Sequence, residues 1–219
     1  MVDVFVVIPC FNEGDHVFDV VSSVREQGFS NIVLVDDGSS DCSSSRGVEA
    51  GALVLRHEVN LGKGSAVKTG CDFAISRGAD VIVLMDCDGQ HEASDIKRFL
   101  KALRTCDIVF GFRAFDKNMP FTMRFGNKFL TLVSKFLFGV GIKDTQNGFR
   151  CFDASIYDKI RWFSRDYGME SEMIARVARH NLSYGEVKIR TIYHDSHKGT
   201  TPLDGFKVLF NMLRFRFFE

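Results

Sequence analysis

The sequence lacks a surplus of either charge: 28 Lys and Arg residues stand against 28 Asp and Glu. A neutral balance excludes the broad basic field by which nucleic-acid-binding domains collect phosphate, so nucleic acid is not an expected partner. It also lacks paired cysteines. Cys10, Cys42, Cys71, Cys87, Cys106 and Cys151 are scattered, with no CxxC, which argues against structural zinc and a disulfide framework and fits a reducing, cytoplasmic compartment. No basic leader precedes the apolar segment ending at Pro9, which reads as a strand. No apolar run reaches the ~18 residues that span a bilayer. Internal repeats, low-complexity tracts and linkers rich in Pro, Gly or Ser are absent too. One domain over residues 1–219 is therefore expected, large enough to bury roughly 70% of its unfolded-chain surface.

What is present begins with short, β-rich apolar runs at Val4 to Ile8, Ile32 to Val35, Ala52 to Leu55, Val81 to Met85 and Ile108 to Phe110. Between them lie amphipathic patterns at Gly14 to Glu26, Ser43 to Ala50, Lys63 to Ser76 and Ser94 to Leu103, the last with Ser94 as cap. Near-continuous apolar strands alternating with helices predict an α/β fold, a mostly parallel sheet covered on both faces. After Arg113 the alternation stops. A long helix is expected from Pro120 to Gly141, then a polar turn, "KDTQNGFR", a helix from Met169 to Asn181, a strand from Tyr184 to Tyr193 and a last helix from Leu203 towards Phe218.

In parallel α/β sheets ligands bind beyond the carboxyl ends of the strands. The polar clusters of this chain fall there: "IPCFNE", "VDDGSSD", "MDCDGQH" and "GFR". Asp86 and Asp88 are two residues apart, so both carboxylates face one side if extended geometry continues through Cys87. Two hard oxygen donors suit Mg²⁺ or Mn²⁺, with Gln90 and His91 close enough to add a ligand or a supporting contact. A turn cap is the other reading of so short a pattern. "VDDGSSD" reads either as a turn or as a reader of ribose or base. "NLGKGSA" is not a Walker A loop, because Gly64 follows Lys63 where Ser or Thr is required, but its glycines can bring backbone N–H groups to a phosphate. The GxGxxG fingerprint of NAD and FAD sites is also missing after the first strand.

Taken in order, these motifs together with "DTQNGFR" resemble the family 2 glycosyltransferases of the GT-A fold, and among them the dolichyl- or polyprenyl-phosphate mannosyl and glucosyl synthases. The resemblance covers residues 4 to 205. It implies a nucleotide-sugar donor, GDP- or UDP-linked, a divalent cation and inversion at the anomeric carbon. By position it implies Pro9, Phe11, Glu13 and Asp36 on the donor and Asp86, Asp88 and Gln90 on metal and diphosphate. Arg113 is implied at the phosphates and Arg150 near the acceptor phosphate. Lys198 stands in "YHDSHKGTTP" as a phosphate ligand, with His194 and His197 near the place where the family tends to carry Arg, which leaves the donor open. A lipid-phosphate acceptor arrives ionised and needs no strong base. A sugar-hydroxyl acceptor would need a carboxylate base, for which Asp144, Glu170 and Glu172 are the candidates. A nucleotide-sugar-binding module without turnover is the alternative outside catalysis.

Phenylalanine numbers 22 and is concentrated in the second half. Phe121, Phe125, Phe129, Leu132 and Phe136 form a helical stripe flanked by Arg124, Lys128 and Lys135, and Phe206, Leu209, Phe210, Leu213 and Phe217 form another beside Lys207 and Arg214. Such helices either pack as core or lie in a membrane interface. The expectation is a donor half, 1–113, and an acceptor half, 114–219, attached peripherally to the cytoplasmic face of a membrane, with self-association or a membrane-anchored partner open.

Overall fold

The computed structural model describes residues 2–113, 121–166, 168–190 and 202–217; side chains of 121–128, 202–208 and 217 are not described. Five strands follow the apolar runs: β1 (Val4–Cys10), β2 (Asn31–Asp36), β3 (Leu53–Arg56), β4 (Val81–Leu84) and β5 (Ile108–Arg113). With β6 (Arg150–Asp153) and β7 (Tyr184–Ile189) they form one seven-stranded sheet in the order β3-β2-β1-β4-β6-β5-β7. The pairs β1/β2, β1/β4, β2/β3 and β5/β7 are parallel, and β6 runs antiparallel to both neighbours. The mostly parallel α/β sheet expected from the sequence is what forms.

The strands are apolar on both sides because helices cover both. On one face Val7, Val33, Val35, Ile82, Leu84, Phe110 and Phe152 meet α3 (Lys63–Ser76) and α7 (Gly168–Arg179). On the other, Val6, Ile8, Ile32, Leu34, Val83 and Val109 meet α1 (Gly14–Glu26) and α4 (Ile96–Leu103). Helix α3 lies so close to the sheet that a Cβ on Gly70 would stand 2.4 Å from Val7 Cγ1, so glycine sets that separation. A short α2 (Ser43–Glu49), a single-turn α6 (Tyr157–Ile160), and α5 (Phe121–Phe138) and α8 (Pro202–Phe217) complete the helices. Leu130 and Leu137 of α5 pack on Met212 of α8.

Three expectations are corrected. β6 was not expected as a strand, and it begins on Arg150, the last residue of the polar turn. It is only four residues long and begins with a charge, so its alternation, Cys151 to one face and Phe152 to the other, is too brief to register. Ser94 is not a helix cap: Ala93–Asp95 form a 3₁₀ turn before α4, and the Ser94 hydroxyl bonds Glu92 at 3.3 Å. The described part of the last strand ends at Ile189, and the remainder of that segment, Thr191 to Thr201, lies outside the described residues.

Asp41 ties two helix starts together. One of its carboxylate oxygens accepts from Gly14 N at 2.9 Å, at the start of α1, and the other from Ser43 N and Oγ, at the start of α2. Burial pulls its pKa up, but these hydrogen bonds together outweigh it and hold the carboxyl below its ordinary value. Asp41→Ala is expected to lower stability by about 1–2 kcal/mol at neutral pH. Because the folded-state pKa is depressed, that difference shrinks as the pH falls through it. Urea melts of both proteins at several pH values check this, and a constant difference down to strongly acidic pH contradicts it.

Candidate active site

The carboxyl ends of β1, β2, β4 and β5 and the start of the antiparallel β6 share one edge of the sheet, since Arg150 is paired with Leu84 and Phe110. The loops at that edge are stitched to one another. Asn12 N–H donates to Ser39 Oγ at 2.9 Å and Glu13 N–H to Ser43 Oγ at 3.0 Å, while Ser40 N–H donates to Asn12 Oδ1 at 2.9 Å. Phe11 is exposed and Pro9 and Glu13 are half-buried on this rim. Asp37 accepts from Leu61 N at 3.0 Å and Gly62 N at 2.8 Å and faces His57 Nδ1 at 2.7 Å, which fastens the Gly-Lys-Gly loop to the end of β2.

That loop is also gripped from the other side. Trp162 Nε1 donates to Gly64 O at 2.8 Å, and Ser65 N–H to Arg165 O at 3.2 Å. A Cβ at Gly62 would sit 2.4 Å from Arg165 O, and one at Gly64 would sit 2.3 Å from Ser164 O. Gly62 moreover has φ 96°, a conformation side chains disfavour. The glycines therefore let two backbones touch, and Lys63 between them is aimed in a fixed direction.

Lys63 Nζ lies 2.7 Å from Asp86 Oδ1 and 3.1 Å from Glu170 Oε1. Burial lowers an ammonium pKa, but here Asp86 and then Glu170 outweigh it and raise the Lys63 pKa. Burial likewise pulls Asp86 up, and Lys63 more than reverses that, so Asp86 is held ionised below the ordinary range. The Asp86 carboxylate rests against Gly148, where a Cβ would come within 2.4 Å of Oδ2. Its backbone N–H donates to His91 Nδ1 at 3.3 Å, and the His91 ring stacks on Phe149 at 5.0 Å. Burial lowers the His91 pKa, so the ring is neutral with its proton on Nε2. Asp88 stands half-buried beside it and accepts from Gln90 N–H at 3.0 Å through Oδ1.

The two aspartates fit a hard divalent cation by donor chemistry: Asp88 keeps an oxygen clear of Gln90, and both carboxylates are partly exposed. Among the described residues no three or more His, Cys, Asp or Glu side chains are arranged so that they could hold a metal ion by themselves. A cation held here would take its other ligands from phosphate and water, the usual situation for Mg²⁺.

Other expected residues sit differently from the sequence reading. Asp36 is fully buried and accepts from Ser39 N at 2.8 Å and from the Ser44 hydroxyl, with Arg56 Nε at 3.7 Å. Its carboxylate braces the loop. Arg150 is also fully buried. Its guanidinium donates to the carbonyls of Asn147, Glu170 and Thr145, each at 3.1 Å. Burial, only partly offset by Glu170 and Asp86, lowers its pKa to about 10. Arg113 is clamped by Asp144, with Nε to Oδ2 at 2.7 Å and Nη2 to Oδ1 at 3.2 Å. Glu172 accepts from the N–H groups of Phe163 and Ser164 and from Arg176 at 2.9 Å. Lys198, His194 and His197 lie outside the described residues. Sequence reading missed Lys63 as a site residue and Asp37, His57 and Trp162 as its supports. The one signal for Lys63 was its place between two glycines.

Comparison with known proteins gives the family and the fold. The family model described as "Glycosyl transferase family 2" matches residues 5–161. An uncharacterized protein of Methanocaldococcus jannaschii is 34% identical, covering 99% of this chain and 93% of its own length. The UDP-N-acetylglucosamine–dolichyl-phosphate N-acetylglucosaminyltransferase of Methanococcus voltae is 30% identical, covering 96% of this chain and 94% of its own length. Among solved structures, glucosyl-3-phosphoglycerate synthase from Mycobacterium tuberculosis in complex with Mn²⁺, UDP and glucosyl-3-phosphoglycerate superposes with TM-score 0.75 at 20% identity, covering 97% of this chain and 79% of that one. The fold is thus GT-A.

The burial of Arg150 carries its own test. Arg150→Lys leaves three carbonyls short of donors and is expected to cost about 3 kcal/mol, within the usual range for opening a buried polar network. For a chain of this size that is a fall in Tm of roughly 6–12 °C. A variant with unchanged Tm and a selective loss of acceptor affinity would return Arg150 to the site itself.

Proposed function

The chain belongs to glycosyl transferase family 2, and we propose that it transfers a hexose from a GDP- or UDP-sugar to a polyprenyl phosphate, with inversion and with Mg²⁺ or Mn²⁺. The observation that carries the acceptor class is the state of the three carboxylates that could serve as a base. Asp144 is paired with Arg113, Glu170 with Lys63, and Glu172 with Arg176 and loop N–H groups. A hydroxyl acceptor needs one of them to take a proton. A phosphate acceptor is already anionic and needs none. The dolichyl phosphate in the name of the Methanococcus voltae relative supports the same reading.

In this reading an oxygen of the acceptor phosphate forms the new bond to the anomeric carbon. The bond from that carbon to the donor diphosphate breaks, and its electron pair leaves with the nucleoside diphosphate. A single displacement of this kind inverts the anomeric centre. Asp86 and Asp88 would hold the cation, whose bound form supplies Lewis-acid neutralisation of the departing diphosphate. Arg113, oriented by Asp144, and Lys63 add fixed positive charge at the same edge. Phe11, Pro9 and Glu13 form the rim on which the nucleotide would lie. The donor half is 1–113 and the acceptor half 114–219, in one domain.

The acceptor is a lipid, and α5 and α8 offer a surface for it. Their inner sides meet at Leu130, Leu137 and Met212, while Phe136 is 87% exposed, Leu132 66% and Phe210 68%, with Phe129 and Leu213 beside them. Among the described residues no helix is long and apolar enough to cross a membrane. Exposed aromatic and aliphatic side chains on paired helices suit peripheral attachment at the headgroup level of the cytoplasmic leaflet.

Two outcomes are expected. A panel of GDP- and UDP-sugars with a short polyprenyl phosphate and Mn²⁺, read by mass spectrometry, yields a glycosylated lipid phosphate, and Asp88→Ala abolishes it at unchanged Tm. Near-normal turnover in that variant removes the cation assignment. In liposome flotation, a variant carrying Phe129→Ser, Leu132→Ser and Phe136→Ser stays with the soluble fraction while the parent floats. Equal flotation of two folded proteins sinks the membrane surface.

A further inference from the structure

Lys63 stands where a cation cofactor would have to compete with it. Its ammonium is in contact with Asp86 Oδ1 at 2.7 Å, and Glu170 Oε1 is 3.1 Å away on the other side. Glu170 is buried, and neither of its oxygens has an aligned hydrogen bond among the described residues, so its charge is balanced chiefly by that ammonium. The side chain cannot drift off this position easily, because the backbone of Gly62 and Gly64 is locked against Ser164 and Arg165.

The charges close to the site can be counted by group. Asp86, Asp88 and Glu170 are negative, Lys63 and Arg150 positive, and the Arg113 and Asp144 pair cancels. Among the described residues the inner site therefore carries one net negative charge. Two further positive charges alone would reverse that balance in a poorly solvated place and would displace the ammonium from Asp86. The same two charges accompanied by a diphosphate keep the balance negative and give the displaced ammonium a second anion.

We propose that Lys63 is a resident cation that keeps Asp86 from free divalent metal, so that the site takes up the metal together with a nucleoside diphosphate and not before it. The inference rests on the reading of Asp86 and Asp88 as the cation pair. It makes Lys63 a positioning and selectivity residue: metal and donor bind with positive coupling, and by linkage each raises the affinity for the other by the same factor.

The test measures Mn²⁺ binding directly, by loss of the free-ion signal in electron paramagnetic resonance, without nucleotide and with UDP or GDP. The parent protein is expected to bind Mn²⁺ weakly alone and about tenfold more tightly or better with one of the nucleotides. Lys63→Met is expected to bind Mn²⁺ alone about tenfold more tightly than the parent, with a smaller gain from nucleotide. Since that variant strands the buried Glu170, Lys63→Met combined with Glu170→Gln is the arm that retains the fold, and the same gain is expected. Glu170→Gln alone leaves the ammonium to Asp86 and is expected to bind Mn²⁺ no more tightly than the parent. A double variant that binds Mn²⁺ alone no better than the parent, while the parent responds to nucleotide, overturns the inference only. A parent protein that takes up no Mn²⁺ with either nucleotide overturns the cation pair as well.

Discussion

The ammonium of Lys63 joins three places that are distant in sequence: the start of α3, the end of β4 through Asp86, and the first turn of α7 through Glu170. Much of the surrounding architecture serves to hold that contact. Asp37 fixes the loop before Lys63, Trp162 and the carbonyls of Ser164 and Arg165 press on its glycines, and Glu172 holds the segment that carries those carbonyls. Buried charges are costly unless paired, so a slip of any one element would leave an ionised carboxylate without a partner. The ion cluster thus sets the register between the sheet edge and α7.

The same logic distributes roles among the other charges at this edge. Arg113 is aimed by Asp144 from two donors, a bidentate geometry that fixes the plane of the guanidinium. Arg150 sits lower, bonding the carbonyls of the turn that precedes β6 and so shaping the glycine floor under Asp86. What faces the candidate site is then a pair of aspartates, a lysine and an arginine. Charge neutralisation is well provided for. Among the described residues a spare general base is not, and this asymmetry is what the proposed phosphate acceptor rests on.

Much of this was legible in the sequence, for identifiable reasons. Of the first-half strands, β1, β2, β4 and most of β5 are buried on both faces and their apolar runs stand out, while the edge strand β3 is only partly buried; α1 and α3 were located to the residue because periodicity and glycine boundaries agree. The carboxylates of the fourth strand end and Arg113 stand out because polar groups at such ends have few structural uses, and the fold gathers them at one sheet edge. The burial of Asp36 and Arg150 was not legible for a common reason: a side chain named by motif can face into the protein, and its direction depends on partners outside the motif, such as Ser44 and the Glu170 carbonyl. β6 was invisible since four residues carry almost no period. Lys63 was set aside because its loop failed a phosphate-loop pattern, and its partners become visible only once β4, α3 and α7 are packed together.

The central claim is that the acceptor supplies its own anion and the protein supplies no base. The pH dependence of kcat/KM, measured with a polyprenyl phosphate and with the corresponding thiophosphate, which ionises at lower pH, tests it most directly. The account predicts that the acidic limb of the profile moves to lower pH with the thiophosphate, following the acceptor. A limb that stays in place when the acceptor changes would mark a protein base and contradict it.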